Sequence, residues 1–219
     1  MTRPSSLRRA ALAVFSSFAF IGGAQAATYS PDDFFHAIEV DDGRGLARML
    51  GSGLDPNLRD GKGQVALFVA LRGESLKAAR VLWEAPATLV DAGNEVGETP
   101  LMMAGLRGEL DAAEALVARG AAVDKSGWTP LHYAATGGNV KIIRLLLDHG
   151  AKLEARSPNG TTPLMMACRY GSEDAVNALL AAGADRTLKN DLGMDSVAFA
   201  DSVGRDYLVK KLRAAPAAH

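Results

Sequence analysis

Apolar residues in the second half of the chain recur at the spacing of short amphipathic helices. Within residues 139–149, Val140, Ile143, Leu146 and Leu147 lie three or four positions apart along one helical face. The glycine that follows this run is typical of the left-handed residue that ends a helix. The pattern therefore predicts a helix of about three turns with one buried side.

A shorter helix is predicted just before this one. Thr129 can cap its first turn through its hydroxyl, and Pro130 stands in that turn, where a missing N–H costs nothing. Gly137 and Gly138 end it. A polar stretch after the second helix contains the turn signal Pro-Asn-Gly at 158–160. The unit is therefore a helix, a turn, a second helix and a loop.

This unit is repeated along the chain with steps of 30 to 34 residues. Its copies begin with VALFVALRGES at Val65, TPLMMAGLRGE at Thr99, TPLHYAATGGN at Thr129, TPLMMACRYGS at Thr162 and DSVAFADSVGR at Asp195. A fixed period of this length marks a stack of units whose apolar faces are buried against one another. Because such stacks usually present a long surface to another molecule, we expect a binding module.

The segment TPLHYAA, followed by Gly-Asn and IIRLLLDHGA, closely resembles the ankyrin repeat. The resemblance implies an all-α fold, an ankyrin-repeat solenoid of about five to six helix-turn-helix units with short β-hairpin-like finger loops. The predicted repeats span residues 65–98, 99–128, 129–161 and 162–194, with divergent capping repeats at 27–64 and 195–219. Divergent ends are expected because the terminal repeats of a solenoid expose one face to water.

One finger loop is predicted to be shorter than the others. The step from Thr99 to Thr129 is 30 residues, whereas the two steps that follow are 33 residues each. The landmarks Gly108 and Gly120 keep their usual separation, so the missing residues come from the loop AVDKSGW. This loop ends at Trp128, which we expect to lie outside the helices.

Residues 1–26 have the pattern of a cleavable signal peptide. Three arginines and no acidic residue precede an apolar run over residues 10–21, and GGAQAA follows, with cleavage expected after Ala26. The run is shorter than the roughly 20 residues that span a bilayer, which disfavours the alternative of an uncleaved anchor. We predict a periplasmic protein of a Gram-negative bacterium, without membrane attachment after cleavage, or a secreted protein as the alternative. General and twin-arginine export both remain open.

Charge and cysteine content narrow the class of partner. Without residues 1–26 the chain has 21 basic and 25 acidic residues, and this mildly acidic balance argues against nucleic acid as a ligand. Cys168 is the only cysteine, so no internal disulfide can form and stability must come from packing. We expect a monomer that binds another protein, with self-association through the finger loops as the alternative.

The sequence contains none of the common catalytic, zinc-binding or nucleotide-binding motifs. We therefore predict no enzyme activity, no metal site and no cofactor, and keep a hydrolase site around His36, Asp41 and Asp42 as an alternative. His132 lies in the TPLH motif, where the ankyrin resemblance implies that it braces its own turn. His149 stands at the end of a predicted helix and can bond to its last carbonyls.

Other conspicuous residues are explained by packing. Met103 and Met166 take an apolar position of the repeat and are predicted to be buried. Met102 and Met165 fit either the core or an adaptable binding surface. Cys168 stands where the repeat needs a small residue between helices, so we predict that it is buried and unreactive.

The ankyrin resemblance implies that a partner meets the finger tips and the exposed, concave side of the first helices. On this chain the corresponding candidates are Arg72, Arg107, Lys125, Trp128, Thr136, Arg169 and Tyr170. The three arginines are predicted to form one row, and arginine with tryptophan and tyrosine is typical of binding hot spots. The alternative is an ordinary solvated helix face.

These features together predict an exported, non-catalytic module that docks on a protein partner. A preformed surface loses little conformational entropy on binding, which favours rigid docking. The chain also resembles small periplasmic ankyrin proteins, some of which are linked to protection against peroxide through a partner catalase. That analogy predicts a role in oxidative-stress protection, and the alternative is a secreted effector or toxin-neutralising protein.

Overall fold

The computed structural model describes residues 29–214, which fold into helices joined by loops. The helices of this range are α1 (Pro31–Glu39), α2 (Gly43–Gly51), α3 (Ala66–Arg72), α4 (Leu76–Glu84), α5 (Pro100–Arg107), α6 (Leu110–Ala118), α7 (Pro130–Gly137), α8 (Val140–Asp148), α9 (Pro163–Tyr170), α10 (Glu173–Ala181), α11 (Ser196–Asp201) and α12 (Asp206–Ala214). Within residues 29–214 no strand forms, and one isolated bridge pairs Arg59 with Val65. The predicted signal peptide at residues 1–26 lies outside the described residues.

The helices are arranged in two layers. The first helices of successive units, α1, α3, α5, α7, α9 and α11, pack side by side in one layer, and α2, α4, α6, α8 and α10 pack in the other. α12 packs against α11 at the end of the stack. The predicted all-α solenoid is therefore confirmed. No helix of the described part of the chain is long and apolar enough to cross a membrane.

The Thr-Pro pair begins α5, α7 and α9 as predicted, but the threonine hydroxyl is used in two ways. Thr99 and Thr162 accept a hydrogen bond from the backbone N–H three residues later, at 3.3 and 3.4 Å. The hydroxyl of Thr129 instead contacts Nδ1 of His132 at 2.9 Å. Thr129 and His132 form a capping box at the start of α7, so the predicted cap at Thr129 is present with the imidazole as its second member.

A continuous apolar core runs between the two layers. Leu101, Leu131 and Leu164 occupy the same position in α5, α7 and α9 and are fully buried, and Leu146 is fully buried in the second layer. Cys168 is also fully buried, as predicted. Burial raises the pKa of its thiol to about 12, which keeps the sulfur protonated and unreactive.

Three of the four paired methionines are buried, and Met166 is more exposed than predicted. Met102 and Met165 are 1% and 0% exposed, and their sulfur atoms accept weak hydrogen bonds from the N–H three residues earlier. Met103 is buried as predicted, but Met166 is only partly buried. Met166 packs against the core as predicted but is not fully buried, because its side of α9 borders a surface depression.

One arginine closes the C-terminal end of the stack. Arg205 donates to the carbonyls of Ala167, Cys168 and Gly171 at 3.0, 2.9 and 3.0 Å. These carbonyls lie at or just after the C-terminal end of α9, where intrahelical donors become scarce, and that of Ala167 also accepts from the N–H of Gly171 at 2.9 Å. The guanidinium therefore supplies the donors that join the last unit to its neighbour.

Two non-glycine residues adopt the left-handed conformation between the helices of their units. Asp41 and Glu74 have φ angles of 52° and 58°, at the repeat position where Gly108 has 76°. The carboxylate of Asp41 accepts from the N–H of Lys77 at 2.8 Å, and that of Glu74 accepts from Arg107 at 3.0 Å. Both side chains thus bind the next unit from an otherwise unfavourable backbone conformation.

The loop between α6 and α7, residues 119–129, is three residues shorter than the loop between α8 and α9, as predicted. Other loops close through a backbone hydrogen bond between residues four apart. Asp124, at the equivalent place in residues 119–129, instead pairs through its carboxylate with Lys152 at 2.8 Å. Side-chain contacts therefore shape this loop, and Trp128 lies in it rather than in a helix.

Candidate partner-binding face

The exposed side chains of α3, α5, α7 and α9, together with residues 125–128, form a surface that we call the inner face. The predicted candidates lie on these elements: Arg72 ends α3, Arg107 ends α5, Lys125 and Trp128 precede α7, Thr136 lies in α7, and Arg169 and Tyr170 lie in α9. The structure brings some of these candidates together and separates others.

A depression of about 270 Å³ opens on the inner face between α5, α7 and α9. We call it the Trp128 pocket; its lining residues are Leu106, Trp128, His132, Tyr133, Thr136 and Met166. The indole of Trp128 meets the imidazole of His132 edge to face, with ring centroids 5.2 Å apart. The hydroxyl of Thr136 donates to the carbonyl of His132 at 2.9 Å, so its proton is already used.

Sequence reasoning finds only part of this pocket. Trp128 and Thr136 are predicted candidates, whereas the apolar and aromatic residues contributed by α5, α7 and α9 are not. The repeat register carries a signal for them, because Leu106 occupies in α5 the position that Thr136 occupies in α7. Tyr133 and Met166 likewise share one position in α7 and α9. Three neighbouring repeats therefore supply the walls.

A second depression, of about 320 Å³, lies beside the Trp128 pocket among the loops. Trp128 and Tyr133 line both depressions, so the two are adjacent, and we call the pair the groove. Lys125 borders the second depression and donates from Nζ to the carbonyl of Gly97 at 2.5 Å. The candidate Lys125 thus lies on the groove with its ammonium group already bound to the preceding loop.

Tyr133 forms the wall between the two depressions. Its hydroxyl donates to one carboxylate oxygen of Glu98 at 2.6 Å, and the other oxygen accepts from the side chain of Asn94 at 2.8 Å. Burial, assisted by this hydrogen bond and by the charge of Glu98, raises the pKa of Tyr133 above its usual value. The phenol therefore stays protonated and its ring is held in one orientation.

The three arginines do not form the single row that was predicted. Arg72 and Arg169 occupy the same position of their repeats, but Arg107 comes one residue later, which rotates it by about 100° around its helix. Arg107 donates instead to the carboxylate of Glu74 in the preceding unit at 3.0 Å. Two arginines therefore keep the same register, and the third is paired within the stack.

Arg72 and Arg169 lie against aromatic rings. The guanidinium carbon of Arg72 is 5.9 Å from the centroid of Phe68, and that of Arg169 is 5.3 Å from the centroid of Tyr170. Nε of Arg169 is buried and has no hydrogen-bond partner within residues 29–214. Nε itself is closed to solvent, but Arg169 as a whole is only partly buried, so the outer part of its guanidinium can meet an acceptor from another molecule.

The helices of the inner face carry no acidic residue. Their sequences are ALFVALR, PLMMAGLR, PLHYAATG and PLMMACRY, from α3, α5, α7 and α9. All 25 acidic residues of the chain fall within residues 29–214, together with 21 of the basic ones. Three of these four helices therefore carry one positive charge each, and α7 carries none, in an otherwise acidic body.

The two aspartates of the alternative hydrolase site have structural roles. Asp41 accepts from two N–H groups at the start of α4 at 2.8 and 3.0 Å, and Asp42 accepts from an N–H in the first turn of α2 at 2.9 Å. His36 is exposed beside Glu39, with 3.9 Å between Nδ1 and the carboxylate. Within residues 29–214 no cluster of three or more His, Cys, Asp or Glu residues is placed to hold a metal ion.

His132 braces its turn, as the resemblance implies. Its Nδ1 accepts from the N–H of Thr129 at 3.2 Å, and its Nε2 donates to the carbonyl of Thr161, in the next loop, at 2.9 Å. Burial lowers the pKa of His132, so the neutral ring required by this pattern is favoured. Nδ1 of His149 donates to the carbonyl of Leu145 at 2.8 Å, as predicted for a residue at a helix end.

Comparison with known proteins identifies the repeated unit. A family model described as "Ankyrin repeats (3 copies)" matches residues 34–126 and 117–190. The Mus musculus ankyrin repeat and SAM domain-containing protein 6 is 34% identical over 109 residues, which cover 48% of this chain and 12% of that protein. The Homo sapiens ankyrin repeat and SOCS box protein 11 is 41% identical over 78 residues, which cover 34% of this chain and 24% of that protein. The matched segments thus span a quarter or less of these curated relatives.

Proposed function

The chain belongs to the ankyrin-repeat family, and we propose that it is a monomeric module that docks another protein on its inner face. Ankyrin repeats are protein-interaction modules, and no enzyme family is indicated. The observation that carries the proposal is the groove formed by the Trp128 pocket and the depression beside it, which neighbouring repeats build together.

The groove is held in place before any partner binds. His132, Tyr133 and Lys125 each form a hydrogen bond to the loop of a neighbouring unit, at 2.9, 2.6 and 2.5 Å. Side chains fixed in this way lose little conformational entropy when a partner covers them. This supports docking on a preformed surface rather than folding around the partner.

The residue types on the inner face also support protein binding. Trp128 and Tyr133 form the groove, and Tyr170 is 56% exposed beside Arg169. Tryptophan, tyrosine and arginine are the residues that contribute most often to the binding energy of protein interfaces. Trp128 and Tyr133 therefore offer a partner apolar contacts, and Arg169 offers it a charged contact.

Site-specific photo-crosslinking tests the proposal. A photoreactive phenylalanine derivative replaces Tyr170, an exposed aromatic residue of the inner face, or Arg144, an exposed residue of α8, in cells that express the protein naturally. We expect a discrete crosslinked complex from the Tyr170 position and none of that mass from the Arg144 position. An equal yield from Arg144, or no complex from Tyr170 in a protein that retains its helical circular dichroism, would refute docking on the inner face.

We further propose that the mature chain works in the periplasm and contributes to protection against peroxide. The pattern of residues 1–26 supports export, and the resemblance to small periplasmic ankyrin proteins supports the second part. Cell fractionation with N-terminal sequencing should recover a chain that begins at Ala27, and a haem catalase should be among its crosslinked partners. A cytoplasmic chain with an intact N-terminus refutes export, recovery from the culture medium favours secretion, and the absence of any haem enzyme refutes the peroxide role.

A further inference from the structure

We propose that the inner face selects an acidic segment of its partner, in which one large apolar side chain enters the Trp128 pocket and a nearby carboxylate binds Arg169. This inference rests on the proposed function and adds the chemistry of the ligand. It follows from the shape and lining of the pocket, from the distribution of charge and from the unpaired donor on Arg169.

The Trp128 pocket has the size and lining for one apolar side chain. Its volume of about 270 Å³ is below the range of roughly 300–1,000 Å³ that holds drug-sized ligands. Leu106, Trp128 and Met166 supply apolar surface. Both ring nitrogens of His132 and the hydroxyl proton of Thr136 are used within the stack. Since these polar groups are already engaged, the pocket favours an aromatic or aliphatic side chain over a polar one.

The charge of the surrounding helices favours an acidic segment. α3, α5 and α9 contain one arginine each, α7 contains no charged residue, and none of the four contains aspartate or glutamate, although the described chain as a whole is acidic. Complementary charge steers a partner toward such a surface and disfavours a basic one. A carboxylate also matches the guanidinium of Arg169, because the two groups can form parallel hydrogen bonds.

Among the arginines of the inner face, we assign Arg169 as the one that binds the ligand carboxylate. Arg107 is already paired with Glu74, whereas Nε of Arg169 is buried without a hydrogen-bond partner in the described part of the chain. Its guanidinium lies 5.3 Å from the ring centroid of Tyr170, which limits its motion. A ligand carboxylate that meets the outer part of this guanidinium would therefore find a donor group that is both unpaired and oriented.

The geometry also predicts on which side of the anchor the carboxylate lies. Glu98 places a negative charge next to Tyr133 on the side of the second depression, so an acidic ligand residue is disfavoured there. Arg169 lies on the other side, in α9, at the repeat position that Thr136 occupies in α7. Neighbouring helix axes are about 8–10 Å apart, and an extended chain advances about 3.3 Å per residue. The carboxylate should therefore lie within about three residues of the apolar anchor.

Selection of random peptides tests this inference without knowledge of the natural partner. Phage-displayed peptides of about 12 residues, long enough to cross several repeats, are selected on the purified chain. The selected peptides should share one Trp, Phe, Leu or Met with an Asp or Glu within about three positions. Their affinities are then measured by fluorescence polarisation against the unmodified chain and three variants.

The variants separate the pocket from the charge. Thr136→Arg places a charged side chain in the pocket and should abolish binding, while Arg169→Glu should weaken it at least about tenfold and Arg169→Gln by less. Arg144→Glu makes the same charge change as Arg169→Glu on an exposed site of α8 and should leave the affinity within about twofold. Circular dichroism of each variant confirms that it folds.

The outcomes also separate this inference from the proposed function. Some selected peptides could bind the unmodified chain but not Thr136→Arg, lack acidic residues and bind Arg169→Glu with unchanged affinity. That result would overturn the acidic-segment inference and leave docking on the inner face intact. Enrichment of basic peptides, or of acidic ones without an apolar residue, would also overturn it, as would the failure to select any peptide. If binding is unaffected by Thr136→Arg and crosslinking at Tyr170 also fails, both proposals are wrong.

Discussion

Replacing His132 by methionine should weaken the stack by an amount that depends on pH. Methionine occurs naturally at this repeat position as Met102 and Met165, where the sulfur accepts the N–H three residues earlier at 3.4 and 3.3 Å. The variant can therefore keep a hydrogen bond within its own turn. What it loses is the bond from Nε2 of His132 to the carbonyl of Thr161, which joins two units at 2.9 Å.

The expected loss at neutral pH is modest because the Thr161 carbonyl keeps another partner. That carbonyl also accepts from the N–H of Ser157 at 3.0 Å, so it is not left unsatisfied. A single intramolecular hydrogen bond contributes about 0.5–1.5 kcal/mol to stability. We therefore expect His132→Met to lower the free energy of unfolding by about 1 kcal/mol near pH 7.5.

At lower pH the difference should shrink and then reverse. Burial lowers the pKa of His132 in the folded state from its ordinary value of 6.5, so the unfolded chain takes up the proton first. The stability linked to this group is complete above about pH 6.5 and is lost as the pH falls toward the folded pKa, by up to about 1.4 kcal/mol per pH unit. Burial raises the pKa values of Glu109 and Glu154, which gives the opposite slope, but both groups are present in the two proteins.

Urea unfolding followed by circular dichroism at about pH 7.5, 6.5 and 5.5 measures these free energies. The exposed His149, replaced by methionine, serves as the control for removing an imidazole that lies outside the core. If the free energy of unfolding of His132→Met changes with pH as steeply as that of the unmodified chain, the imidazole of His132 is not held neutral by burial in the folded state. A loss above about 3 kcal/mol near pH 7.5 would show that more than one hydrogen bond depends on it.

Three further changes test the packing of the stack by urea unfolding or hydrogen exchange. Leu146→Ala should cost about 2–5 kcal/mol because this fully buried side chain leaves a cavity, and a negligible loss would contradict the register of α8. Arg205→Met should cost about 1.5–3 kcal/mol and speed amide exchange in α11 and α12, since three carbonyls of α9 lose a charged donor; unchanged exchange would contradict this role. Glu74→Gly should gain up to about 1 kcal/mol, because relief of the left-handed conformation outweighs an exposed ion pair with Arg107; a clear loss would show that the pair dominates.

The helices could be predicted from the sequence because their signals are local. The Thr129-Pro130 start and the glycine pair at 137–138 bound α7, and the apolar spacing after them gives α8, which the structure places at Val140–Asp148. The shortened loop was also predictable, since it needs only a count between repeats. Repetition made each of these signals stronger, because the same start and stop recur at equivalent places.

The groove could not be predicted to the same extent because it depends on contacts between units. Leu106, Tyr133 and Met166 come from three repeats, and only the stacking distance shows that they line one pocket. The same reason explains the error over Arg107, whose pairing with Glu74 crosses from one unit to another. A one-residue difference within the repeat is easily overlooked in a sequence, yet it turns a side chain by about 100°.

The central claim is that a protein partner contacts the inner face at the Trp128 pocket. Isothermal titration of the partner identified by crosslinking, against Thr136→Arg and the α8 control Arg144→Glu, measures this most directly. The account predicts at least about tenfold weaker binding for Thr136→Arg and a change within about twofold for the control. Equal affinities for Thr136→Arg and the unmodified chain would contradict it.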